Sequence, residues 1–74
     1  MSRSRIITDP AIMKGKPCIK GTRITVELLL RKLAGGRSFP DVLESYPQLM
    51  ENDLWAALDF AADFLEHKTV LPGD

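Results

Sequence analysis

Two interruptions, Gly35-Gly36 and Pro47, cut the chain from Thr25 onward into three stretches, each with helical periodicity. In the first, Val26, Leu29, Leu30 and Leu33 recur at i, i+3, i+4 and i+7, with Thr25 placed to cap the start. Gly35-Gly36 ends it, one glycine being expected in the left-handed conformation that closes a helix. Ser38 and Asp41 open the second with a capping-box spacing, Asp standing where Glu is usual. Pro40 falls in the first turn, where its missing N–H costs nothing. Phe39, Val42, Leu43 and Tyr46 mark the apolar face, and Pro47 forbids continuation.

The third helix is predicted from Glu51 to His67, with acids at its start and His67 and Lys68 at its end to complement the macrodipole. Leu54, Leu58, Ala61 and Leu65 form its central stripe. Phe60 and Phe64 lie to one side and Trp55 and Ala62 to the other, so only Asp59, Asp63 and Glu66 make a polar strip. An apolar arc of roughly 220° is about twice the width that packing on one core requires. Its flank is therefore expected to be an interface, and aromatic enrichment fits that use. Phe60, Phe64 and Trp55 are the candidate interface residues, together with Leu28, which falls opposite the buried stripe of the first helix beside Arg31 and Lys32.

Ahead of these helices, Ile6-Ile7-Thr8 and Cys18-Ile19-Lys20 read as very short strands, bounded by turns at Asp9-Pro10, Gly15-Lys16-Pro17 and Gly21. The expected fold is mainly α, a three-helix, helix-turn-helix-like bundle preceded by a short N-terminal β-hairpin or irregular arm. It forms one domain: a basic arm over 1–24, the helical trio over 25–67 and a frayed tail over 68–74. A core of this size supplies only about 3–5 kcal/mol. One cysteine (Cys18) and one histidine (His67), far apart in sequence, offer neither an internal disulfide nor a metal site. Self-association or complex formation, as a homodimer or with a partner, is the default expectation.

Charge is segregated along the chain. Residues 1–37 carry nine basic side chains against two acidic ones, a net of +7, and residues 38–74 carry one against eight, a net of −7. The asymmetry points to a polyanionic partner for one half, or to complementary charges across a self-associating pair. No apolar run follows Met1–Arg5 and no stretch approaches the length of a membrane span, so neither a secretory leader nor a membrane partner is expected. With a single free thiol, the setting expected is cytoplasmic.

Helix, turn, helix with an earlier brace is the arrangement of many DNA-binding proteins and of many that never touch DNA. The N-terminal residues of the presumed recognition helix are Glu51, Asn52, Asp53 and Trp55. Asn52 could read adenine, but it stands between two carboxylates that phosphates would repel. Attraction for an anionic partner falls instead to Arg3, Arg5, Lys14, Lys16, Lys20 and Arg23, with Arg3 and Arg5 on an arm suited to a minor groove. The run Gly15-Lys-Pro-Cys-Ile-Lys-Gly-Thr-Arg-Ile24 could cradle an anion through its turns, although it matches no phosphate-loop pattern. It reads equally as a rigid turn packed on the first helix, with Arg23 pairing Asp9 or a backbone carbonyl. Cys18 is expected to be a buried structural thiol and His67 a helix cap. With no acid pair, metal cluster or nucleophile constellation, the chain is not expected to be an enzyme, to use a cofactor or to take a small-molecule substrate.

Ile7-Thr-Asp-Pro10, the Gly15–Ile24 run, Val26 with Leu29-Leu30, Leu33-Ala-Gly-Gly36, Ser38, Tyr46-Pro47 and Asp53-Leu-Trp-Ala-Ala-Leu58 together resemble the bacterial "domain of unknown function 433" family across residues 6–65. The resemblance implies a helix-turn-helix-like antitoxin of the VapB type. Such a protein neutralises a toxin with a PIN-type nuclease fold and can repress its own operon through operator DNA. A basic segment is suited to an acidic, metal-holding nuclease site, and Lys14, Lys16, Lys20 and the Arg3/Arg5 arm are the residues for it. One departure is Met50, where the family commonly has Thr or Ser; it removes the expected cap of the third helix, worth about 1 kcal/mol. The alternatives are a stand-alone DNA-binding regulator and a protein–protein adaptor with a vestigial helix-turn-helix.

Overall fold

The computed structural model describes residues 5–68. Two strands, β1 (Ile6–Ile7) and β2 (Cys18–Ile19), precede three helices, α1 (Val26–Ala34), α2 (Phe39–Ser45) and α3 (Glu51–Lys68). The strands pair antiparallel, Ile6 opposite Ile19 and Ile7 opposite Cys18. A further bridge between Cys18 and Thr25 carries the ribbon up to the start of α1. The tail from Thr69 onward, and Arg3, lie outside the described residues.

Local chemistry sets the helix ends. The Thr25 hydroxyl accepts the Leu28 N–H at 3.0 Å, which starts α1. At its end Gly36 takes φ +95°, a conformation that a Cβ would strain. The capping box of α2 is complete, since Ser38 Oγ accepts the Asp41 N–H at 3.2 Å and Asp41 Oδ2 accepts the Ser38 N–H at 3.2 Å.

The core forms where the three helices meet the hairpin. Leu29, Leu54, Val42 and Cys18 are its largest fully buried side chains, with Ile6, Ile19, Ile24, Val26 and Leu49 around them. Burying a leucine completely contributes about 2–3 kcal/mol. Ala56 and Ala57 are wholly buried, and their small side chains leave room for α1 and β1 against α3.

Two expectations change. The buried face of α3 is Asp53, Leu54, Ala56 and Ala57, with Phe60 partly buried, so it is centred on Ala57. Leu58 is only half-buried and Leu65 is 63% exposed, so the stripe drawn through them is not the core stripe. The reason is spatial: Ala57 is the last buried side chain, and beyond it α1 faces α3 only across an open gap. Leu28, placed by the helical wheel on the outer face of α1, instead packs half-buried against the core.

Candidate partner-binding surfaces

The basic run 14–23 does not form one patch. Strand pairing puts the 8–17 loop at the Ile7–Cys18 end of the ribbon and the Lys20–Arg23 turn at the Ile6–Ile19 end. In the loop, Met13 (φ 50°) and Lys14 (φ 58°) take left-handed conformations before Gly15, which displays both side chains outward. Such a conformation costs about 1 kcal/mol or more for each non-glycine residue. At the other end, the Thr22 hydroxyl donates to the Ile19 carbonyl at 2.8 Å and accepts the Ile24 N–H at 3.0 Å. Gly21 there has φ +81°, and Lys20 and Arg23 project from the turn, exposed. Arg23 pairs with neither Asp9 nor any other acid among the described residues; the Asp9 carboxylate accepts the Ala11 N–H instead.

Two predicted site cations are already engaged. Arg5 Nη1 donates to Asp53 Oδ1 at 3.0 Å, so Arg5 is tied to the start of α3 rather than held on an arm. Lys16 Nζ donates to Glu27 Oε1 at 3.1 Å on α1, and Arg31 approaches the same carboxylate at 3.5 Å. The Lys16 hydrogen bond and charge, helped by Arg31, hold the Glu27 carboxyl below the usual carboxylate range. The cations that remain exposed without an ion pair among the described residues include Lys14, Lys20 and Arg23.

The first turn of α3 differs from its reading in sequence. Asp53 points inward and is 6% exposed, with Oδ2 accepting the Met50 N–H at 2.8 Å. That bond is the reciprocal half of a capping box, supplied although Met50 lacks a hydroxyl of its own. Glu51 stays outside, its carboxylate accepting from the Trp55 indole N–H at 3.2 Å, and Asn52 is exposed beside it. Trp55, half-exposed, meets Phe39 edge-on with ring centres 4.8 Å apart.

A second surface is apolar. Leu30 and Ala34 of α1 face Phe60, Ala61, Phe64 and Leu65 of α3 across an open groove of about 490 Å³. Its rim holds Lys16, Glu27 and Arg31, and its outer wall, Phe64 and Leu65, is more than half exposed. Of the interface residues expected from sequence, Phe60 and Phe64 line this groove, whereas Trp55 and Leu28 do not. Leu30 and Ala34 were missed because a helical wheel gives the facing of one helix, not the gap between two. Cys18 is buried with its thiol donating to the Lys16 carbonyl, and His67 Nδ1 lies 2.8 Å from the Asp63 carbonyl.

The family model described as Protein of unknown function (DUF433) matches residues 6–61, most of the chain. The chain belongs to that family. No curated protein and no solved structure matches it. The DUF433 span runs from β1 through the last buried side chain of α3 and ends before Phe64 and Leu65. Among the described residues of this DUF433 chain, no group of three or more His, Cys, Asp or Glu side chains could hold a metal ion, and no helix is long and apolar enough to cross a membrane.

Proposed function

We propose that this DUF433 protein is a non-catalytic, antitoxin-like binding module acting in the cytoplasm, which neutralises a PIN-type nuclease by presenting cations to its acidic site. One observation carries the reading: Lys14, Lys20 and Arg23 are exposed, without an ion pair among the described residues, on turns whose backbones are fixed by hydrogen bonds and positive φ angles. A rigid turn removes the backbone part of the entropy cost of docking, and an exposed cation gains most against a concentrated negative field. Arg5 and Lys16 leave the docking set, because each is already engaged by a carboxylate of the chain, Asp53 or Glu27. The test is inhibition of a PIN-type nuclease encoded beside this chain. The Lys14→Ala, Lys20→Ala, Arg23→Ala triple variant is expected to lose most inhibition with an unchanged melting curve. Inhibition that survives intact, or the lack of any such neighbour, overturns the reading.

A second reading, operator binding through α3, is favoured by the inward turn of Asp53. With that carboxylate neutralised by Arg5, one of the two acids set against a phosphate backbone is removed, leaving Asn52 exposed. Gel-shift titration with upstream DNA at two salt concentrations tests it, since phosphate-driven binding falls steeply with salt.

A further inference from the structure

We propose that the outer face of α3 around Trp55 is a docking site for a guanidinium group, presented by an arginine-bearing segment of a partner protein. The proposal goes beyond the antitoxin reading and does not depend on it. Trp55 is 53% exposed, yet its ring is held on two sides. The Glu51 carboxylate accepts the indole N–H at 3.2 Å, and the Phe39 ring meets the indole edge-on with centres 4.8 Å apart. A π surface fixed in this way receives a cation without first having to be ordered.

The neighbours of the ring set the sign of the partner. Glu51, Trp55 and Asp59 follow one another at four-residue steps on one helix face, so a carboxylate stands about 6 Å along the axis on either side of the ring. Both acids are exposed, and neither has an ion pair among the described residues. No Lys or Arg falls between Glu51 and His67, so this stretch of α3 brings no cation of its own. A partner here must therefore carry positive charge and a group that lies on an aromatic ring. A planar guanidinium does both and forks onto a carboxylate, whereas a lysine ammonium is a more strongly hydrated point charge and gains less. Nucleic acid is disfavoured, because its phosphates would meet like charge on both sides of the ring.

Trp55 is the only tryptophan of the chain, so its fluorescence reports on this site alone. Titration of the full chain with a blocked tri-arginine peptide at constant ionic strength tests the proposal, a blocked tri-lysine peptide matching its charge. The expected result is a saturable change in emission, with the arginine peptide bound at least about threefold more tightly than the lysine one. The double variant Glu51→Gln, Asp59→Asn removes both charges and keeps an amide oxygen for the indole N–H. It is expected to weaken binding at least about threefold with the helical circular dichroism unchanged. Should it fail to fold, Asp59→Asn alone, expected to weaken binding about twofold, decides. Emission that changes without saturating, equal affinity for the two peptides, or variants that bind as wild type does overturns the proposal. So does a short DNA duplex that saturably changes Trp55 emission in the absence of peptide, which puts nucleic acid on this face. Peptide affinity that falls as the protein is concentrated puts a second copy there and overturns it too.

Discussion

Asp53 holds two elements with one carboxylate: Oδ2 closes the start of α3 through the Met50 N–H, and Oδ1 ties that start to Arg5 beside β1. Replacing it with alanine removes a cap and leaves Arg5 unpaired, a loss of about 2–3 kcal/mol. Arg5→Ala is expected to cost less, about 1 kcal/mol, because its side chain is 35% exposed and water can reach the carboxylate it leaves. Urea denaturation of the two variants checks the order, and equal or reversed losses would remove Asp53 from this double role. Gly36→Ala should cost about 1 kcal/mol in the same assay, since alanine is strained at φ +95°. The sequence placed an acid three residues after Met50, the spacing of a reciprocal cap. It could not say that the acid faces inward, because that depends on where Arg5, 48 residues away, is brought by the hairpin.

At the scale of elements, the capping box of α2 makes a prediction about acid. The Ser38 backbone N–H, then its hydroxyl, hold the Asp41 carboxyl below the usual carboxylate range, with Arg37 adding its charge. A carboxyl depressed on folding stabilises the folded state at pH above its unfolded pKa, and that contribution is lost as pH falls through its folded pKa. Stability should therefore fall below about pH 4, and Asp41→Asn should flatten part of that fall in melting curves taken across the acid range. If the variant keeps the full acid dependence, the box is not a source of it. α3 should also be uneven along its length. Its buried side chains end at Ala57, so in dilute solution amides beyond Ala61 are expected to exchange faster than those between Leu54 and Leu58. Uniform protection along α3 at low concentration would contradict this. The caps of α1 and α2 were legible in the sequence because capping is local, whereas the uneven burial of α3 follows from how its neighbours pack along it.

For the molecule as a whole, a core this small leaves little margin. Leu29 is completely buried where α1 meets α3, and Leu29→Ala should cost about 3 kcal/mol. In a domain of this size that lowers the melting temperature by roughly 10–20 °C, measurable by circular dichroism. A shift of only a few degrees would mean that the surrounding residues collapse around the missing methyls. Charge segregation is the other property at this scale. The sequence showed it as two halves, and folding redistributed it: Arg5 to Asp53, Lys16 to Glu27, Lys14 to one end of the ribbon, and Lys20 and Arg23 to the other.

By itself the sequence determined what is local. Three helices, the caps of α1 and α2, the glycine stop after α1, the two short strands and the buried thiol all follow from residue types at short spacing, where sterics and near-neighbour hydrogen bonds decide. Tertiary structure alone decided which cations stay available, which way Asp53 turns, and that an apolar trough lies between α1 and α3. The physical reason is the same for each. An ion pair or a groove wall needs two groups from distant parts of the chain, and only packing of the hairpin and the three helices sets the distance between them.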